Sequence, residues 1–203
     1  MKNEPKMPNP LVLASGSQIR RLVLEQACVP FRVDKSDVDE GFLKQQHSNL
    51  NPVEMALMLG RAKAQQVSAR FPGEIVLGAD QTMELDGVLL DKLPDANLAR
   101  DRLLKMRGRP HYLHSGLSLH RDGQEIWSLS RSSTIHVRNF SEPFLNAYLE
   151  GAGDALTASV GAYAYEGLGA QLFEHVDGDY YAILGLPLLP LLKALRDFGV
   201  IEP

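Results

Sequence analysis

Leu11-Val12-Leu13-Ala14-Ser15-Gly16-Ser17-Gln18-Ile19-Arg20-Arg21 is the stretch on which the fold turns. The apolar run is short enough for a strand and reads as one buried in a core. Ser15-Gly16-Ser17 interrupts it, and a helix is expected from about Gln18 to Cys28, with Leu22, Val23 and Ala27 on its apolar face. A strand that enters a helix through small residues turns free N–H groups and the positive end of the helix dipole toward the loop, which suits an anion. Ser15 and Ser17 add hydroxyls, and Arg20 can fork onto two phosphate oxygens. The plainer alternative is Ser17 as a helix cap with both arginines in solvent.

Beyond this stretch, apolar runs of strand length alternate with helical patterns. Phe31 to Asp34 reads as a second strand. Asn51-Pro52 opens a helix running to about Arg70, by cap residue and proline at the first turn. Glu74 to Gly78 is an apolar strand ending at Ala79-Asp80, and Asp86-Gly87 is a hairpin turn. A helix is expected from Pro94 to near Gly108. Strands over Tyr112 to His120 and Glu125 to Val137 are joined at Asp122-Gly123. Ser141 with Glu142 opens a short helix to about Glu150. A last strand, Gln171 to Val176, leads to a final helix from Pro187 to Phe198, capped by Gly199. Interleaved helices with several hairpins indicate an α/β domain with a mixed central sheet flanked by helices. The polar segment 1–10 reads as a tail, and 11–203 as one domain without internal repeats.

At 203 residues, such a domain buries enough surface to need no disulfide or structural metal. The single cysteine, Cys28, cannot form an intrachain disulfide, in keeping with a cytoplasmic location. The N-terminus lacks the apolar segment of a signal peptide. Tyr180 to Leu195 is the most apolar stretch, but Pro187, Pro190 and Lys193 interrupt it, so no membrane span is expected. With a net charge of −4, no basic excess points to a nucleic acid polymer. The six histidines show no HExxH pattern or other tight metal spacing.

Three further groups carry candidate chemistry. Ser36-Asp37-Val38-Asp39-Glu40 places three carboxylates where a hard divalent cation could use them, or where they could simply be solvated. Lys63 follows Leu59 by one helical turn and lies at the edge of an apolar face, either snorkelling or pointing into a cleft. Asp80 closes a strand, with Lys92 downstream. Ligands gather at the carboxyl ends of strands in open α/β sheets, so Asp80 is a candidate general base or metal ligand; a turn aspartate is the alternative.

The order and spacing of these groups resemble the Maf family of nucleoside triphosphate pyrophosphatases over nearly the whole chain. The matching segments are Leu13 to Ser17, Arg20-Arg21, Ser36 to Glu40, Ala62-Lys63-Ala64, Leu77 to Asp80 and Asp91-Lys92. They continue through Gly161-Ala162-Tyr163, Gly178 to Tyr181 and Gly185 to Leu188. The resemblance implies two lobes with a nucleotide cleft between them, as in Maf and ITPase-like folds, and a homodimer. It places Asp80 as catalytic base, Ser15, Arg20, Lys63 and Lys92 on the phosphates, and Glu40 with Asp80 at a divalent metal, Mg²⁺ with Mn²⁺ or Co²⁺ as alternatives. The implied reaction is hydrolysis between the α and β phosphates of a nucleoside triphosphate, in a house-cleaning role.

Some positions depart from the commonest family pattern. Ile19 stands where many members have arginine or tryptophan, Gln81 where many have threonine, and Glu166 where the thymidine- and uridine-triphosphate branch has glutamine. Leu93 stands where proline is usual, and Ala158-Ser159-Val160 replaces a lysine-containing stretch. Gln81 with Glu166 resembles the branch acting on 7-methyl-GTP. A carboxylate accepts from both the ring N–H and the amino group of guanine, and a cationic base gains from an aromatic partner, for which Tyr163 and Tyr165 are candidates. Three rivals stand beside this reading: a dTTP or UTP pyrophosphatase, a phosphatase releasing orthophosphate, and a nucleotide-binding regulator of cell division with little turnover. Two carboxylates beside a triphosphate favour an enzyme over a binder, since they repel phosphate unless a metal intervenes.

Overall fold

β1 (Leu11–Leu13) is fully buried, and α1 (Gln18–Gln26) follows the loop, as expected. The computed structural model describes residues 10–203, so the expected tail lies outside the described residues except for Pro10. The Ser17 hydroxyl caps α1 by accepting the Arg20 N–H at 3.4 Å. The helix ends short of Cys28, whose left-handed backbone (φ 52°) turns the chain into β2 (Phe31–Val33). The acidic segment is a loop as far as Asp39, and its last residue, Glu40, is already helical. Asp39 accepts the Phe42 N–H at 2.9 Å and caps a short helix, α2 (Glu40–Gln46). Asn51 and Glu54 form a reciprocal capping box at the start of α3 (Pro52–Ser68).

β3 (Val76–Leu85) does not end at Asp80 but runs five residues further. The residues beyond Asp80 stay largely buried, and β5 (Pro110–Arg121) keeps pairing with the strand as far as Glu84↔Tyr112. Asp86-Gly87, both left-handed at φ 55° and 79°, turns β3 into β4 (Val88–Leu90). Asp95 caps a single 3₁₀ turn at Ala96–Leu98, so α4 (Ala99–Met106) starts later than Pro94. Asp122-Gly123 joins β5 to β6 (Gln124–Val137) with the same left-handed pair. There follow α5 (Glu142–Gly151), α6 (Ala155–Ala158), β7 (Phe173–Asp177), α7 (Tyr180–Ile183) and α8 (Leu188–Asp197).

Among the described residues, seven strands form one sheet in the order β2-β1-β3-β5-β6-β7, with β4 also on β3. β1 pairs parallel with β2 and β3 and the other pairs are antiparallel, so the sheet is mixed. Strand alternation then sorts the side chains. Leu77, Ala79, Met83 and Leu85 of β3 and Leu113, Leu117 and Leu119 of β5 share one face with the main apolar clusters, which include Leu24 of α1, Leu103 of α4 and Leu191 of α8. Gly78 and Gly116 face α3 instead. A Cβ on Gly78 would lie 2.0 Å from the Gly60 carbonyl oxygen, and one on Gly116 2.4 Å from the Ala56 carbonyl. The helix therefore rests directly on sheet backbone.

This topology leaves a gap. β1 meets β3 only at Val76 and Leu77, and β4 only from Met83 to Leu85. β5 fills the opposite edge throughout. Among the described residues, no strand lies beside one edge of β3 between Gly78 and Thr82.

Candidate functional site

Side chains fill the gap. The Arg20 guanidinium does not project to solvent but folds inward. Its Nη1 donates to the Ala79 carbonyl (2.9 Å) and to Ser15 Oγ (3.1 Å), and its Nε donates to the Gly185 carbonyl (2.9 Å). Ala79 C=O is an edge acceptor left without a strand partner, and the arginine supplies what the sheet does not. Three of the five guanidinium N–H groups are thus spent, and among the described residues both on Nη2 are left without a partner. Burial lowers the Arg20 pKa, while Asp80 and Glu40 raise it. Ser15 is buried as well, accepting from the Ser17 N–H at 3.3 Å.

On the α3 side, Asp80 lies two residues beyond Gly78 on the same strand, and Lys63 lies one residue before Ala64, which touches Gly78. This close approach brings the Lys63 Nζ to 2.6 Å from Asp80 Oδ1 and 2.7 Å from Glu40 Oε1. Lys63 and Asp80 are each 7% exposed, so the pair is shielded from water. Burial alone would raise the Glu40 pKa. The charge and hydrogen bond of Lys63, aided by Lys44 and Arg20, outweigh it and hold the carboxyl below its usual 4.5. Of the three acids in the segment, Glu40 alone reaches the cluster, through Lys63, with its side chain still 46% exposed; Asp39 is spent as a cap.

Ser15, Arg20, Glu40, Lys63 and Asp80 therefore lie together. Lys92 does not join them: it is exposed, and among the described residues no hydrogen bond or ion pair ties it to the cluster. Its neighbour Asp91 does reach α2, pairing with Lys44 at 2.5 Å. Gln81 points to the opposite face from Asp80. Its Nε2 donates to the Ala182 carbonyl (2.9 Å), the Ile183 carbonyl and Ser115 Oγ (3.2 Å each). The Ser115 hydroxyl donates to the Ala182 carbonyl as well, at 2.9 Å. Arg20, Gln81 and Ser115 together tether the α7 segment to the gap. Sequence reading missed Ser115 and this use of Gly185; the Gly185-Leu186-Pro187 motif was the available signal.

Ile19 packs half-buried against the core, and Glu166 is exposed in a turn. Tyr163 does not offer its ring to a base. It is buried, 4.8 Å from the Phe173 ring, with its hydroxyl 2.7 Å from His111 Nε2. Tyr165 is the more open of the two. An open groove of about 290 Å³ lies beside it, lined by Ala170, Phe173, Glu174, His175 and Val176, and none of the charged cluster lines it. Among the described residues no set of three or more His, Cys, Asp or Glu is placed to hold a metal by itself. The Glu40–Asp80 pair instead suits a small hard cation that brings other oxygen ligands with it, as Mg²⁺ does with phosphates and water.

Fold and charges together define an α/β protein with a mixed-charge site at a gap in its sheet edge. Residues 10–198 match the family described as Maf-like protein, and the chain belongs to this family. The nucleoside triphosphate pyrophosphatase of Maricaulis maris (strain MCS10) is 65% identical over 94% of this chain and 97% of its own. That of Paramagnetospirillum magneticum (strain ATCC 700264 / AMB-1) is 46% identical over 95% and 100%. The 7-methyl-GTP pyrophosphatase of Bartonella quintana (strain Toulouse) is 40% identical over 96% and 98%. A HAM1 protein from Coxiella burnetii covers 64% of this chain and 74% of its own at TM-score 0.41 and 14% identity, too slight a likeness to bear on the fold or the site.

Proposed function

We propose that the chain is a nucleoside triphosphate pyrophosphatase that hydrolyses the bond between the α and β phosphates, releasing a nucleoside monophosphate and pyrophosphate. The observation that carries this reading is the Lys63 ammonium between Asp80 and Glu40 beside the free Nη2 of Arg20. Paired acids and cations at one strand edge can hold a polyanion and still keep a carboxylate for proton transfer. The names of the relatives support the same reaction.

Asp80 accepts a proton from water as its oxygen attacks the α-phosphorus, and the bond from that phosphorus to the bridging oxygen breaks in line. The Arg20 Nη2, the Lys63 ammonium and the Ser15 hydroxyl donate to phosphate oxygens; Lys92, apart from the cluster here, would have to swing in from the loop after β4 to join them. Glu40 and Asp80 would hold a divalent cation, Mg²⁺, Mn²⁺ or Co²⁺, which offsets phosphate charge when bound. In this reading the base is 7-methylguanine. Support comes from the Bartonella relative's name, from an exposed Glu166 carboxylate able to accept two hydrogen bonds, and from the partly exposed Tyr165 close by.

The test is a panel of 7-methyl-GTP, GTP, dTTP and UTP with each metal, resolving pyrophosphate from orthophosphate. Pyrophosphate release fastest on 7-methyl-GTP is expected. Preference for dTTP or UTP overturns the base, and release of orthophosphate overturns the reaction. Asp80→Asn should keep the fold and nucleotide binding while turnover drops by about 10²- to 10⁴-fold. Undiminished turnover would remove Asp80 as the base.

A further inference from the structure

The Glu40–Asp80 pair already has a cation. Lys63 Nζ lies 2.7 Å from one carboxylate and 2.6 Å from the other, on a helix held to the sheet by glycine contacts. A divalent ion on the same two oxygens would stand about 2 Å from each, inside the space the ammonium occupies. The two cannot share it, because like charges in a partly dehydrated site repel strongly. Charge balance points the same way. Three acids, Glu40, Asp80 and Asp91, are matched by three bases, Arg20, Lys63 and Lys44, the last joining Asp91 to the set and acting on Glu40. A bare divalent ion adds two uncompensated positive charges to this balanced set. A metal triphosphate is net negative, and it offers the ammonium new oxygens that the four-carbon lysine stem can swing to reach.

We propose that Lys63 acts as the resident counter-ion of Glu40 and Asp80, so that a divalent cation gains these carboxylates only together with a triphosphate that draws the ammonium away. This rests on the pyrophosphatase reading and adds an order of events to it: free protein excludes free metal. Lys63 is then a gate for metal entry as well as a phosphate contact.

Titration of the nucleotide-free protein with Mn²⁺, followed by the electron paramagnetic resonance of the unbound ion, tests this without turnover. Lys63→Gln should tighten Mn²⁺ binding about tenfold or more, since a competing positive charge has gone. Lys63→Arg, which keeps the charge, should not. Adding Glu40→Gln to Lys63→Gln should abolish the gain. Equal Mn²⁺ affinity in wild type and Lys63→Gln, or a gain that survives Glu40→Gln, overturns the proposal. Should Lys63→Gln not fold, the wild type decides: Mn²⁺ binding weaker than roughly 0.1 mM supports the gate, and tighter binding overturns it. Because no nucleotide is present, failure leaves pyrophosphate release to be judged on its own assay.

Discussion

Single residues in this protein are set by what burial leaves unpaired. Arg20 is the example at the site: its position after a small-residue loop is visible in sequence, but an edge carbonyl at Ala79, a turn carbonyl at Gly185 and the Ser15 hydroxyl claim three of its five donors. His111 shows the same logic away from the site. Its ring is fully buried with Nε2 on the Tyr163 hydroxyl and, among the described residues, no partner for Nδ1. Burial, with His136 nearby, pushes its pKa down from 6.5 to about 3. The unfolded chain therefore takes up a proton that the folded chain refuses, and stability contributed by neutral His111 is complete above pH 6.5 and lost as pH falls toward 3. His111→Gln keeps a partner for Tyr163 but does not titrate. Between pH 6.5 and 4, the wild type should lose about 3 kcal/mol more unfolding free energy than His111→Gln, measured by urea denaturation. Parallel loss in the two proteins would mean that His111 charges without unfolding the chain.

At the scale of elements, the contact that makes the site is α3 lying on the backbone of β3 and β5. Gly60, Gly78 and Gly116 permit it, and any side chain at the sheet positions would strike backbone atoms that cannot rotate away. The expected result of Gly78→Ala is therefore a displaced helix and a loss of about 3 kcal/mol. Because Gly78 precedes Asp80 by two residues and touches Ala64 beside Lys63, activity should fall further than the unfolded fraction accounts for. Thermal unfolding and pyrophosphate release on the same sample check this. An alanine variant of normal stability and rate would show that the helix can shift without consequence. The Asn51 cap with Pro52, the two Asp-Gly hairpins and the Gly199 cap were legible in the sequence because each is decided within a few residues. The short helix α2 was not. Its acids suggested a loop, yet Asp39 in an extended backbone is a good cap and Glu40 suits the positive end of the helix.

For the whole molecule, the apolar core divides into two large clusters that share strands. Leu77 and Ala79 belong to one and Met83 and Leu85 to the other, all on one face of β3, and β5 contributes to both through Leu117 and Leu113. Neither cluster keeps its walls if the other unfolds. Trp127 packs on the first, while helices α4 and α5 pack on the second. Denaturation followed by Trp127 fluorescence and by far-ultraviolet circular dichroism should give one coincident transition. Two separated midpoints would make the clusters independent lobes. Among the described residues no helix is long and apolar enough to cross a membrane.

The sequence alone determined the mixed α/β character, most strands and helices, the hairpin turns and the set of charged residues from which the site is drawn. These rest on periodicity, turn chemistry and residue type, which act over short stretches of chain. Only the tertiary structure decided that β3 continues past Asp80, that an edge gap opens between β1 and β4, that Gln81 tethers α7, and that Lys92 stays apart from the cluster. These depend on strand register and on contacts such as Arg20 with Gly185, separated by 165 positions. No local pattern encodes where two such distant segments meet, because packing of the whole sheet settles it.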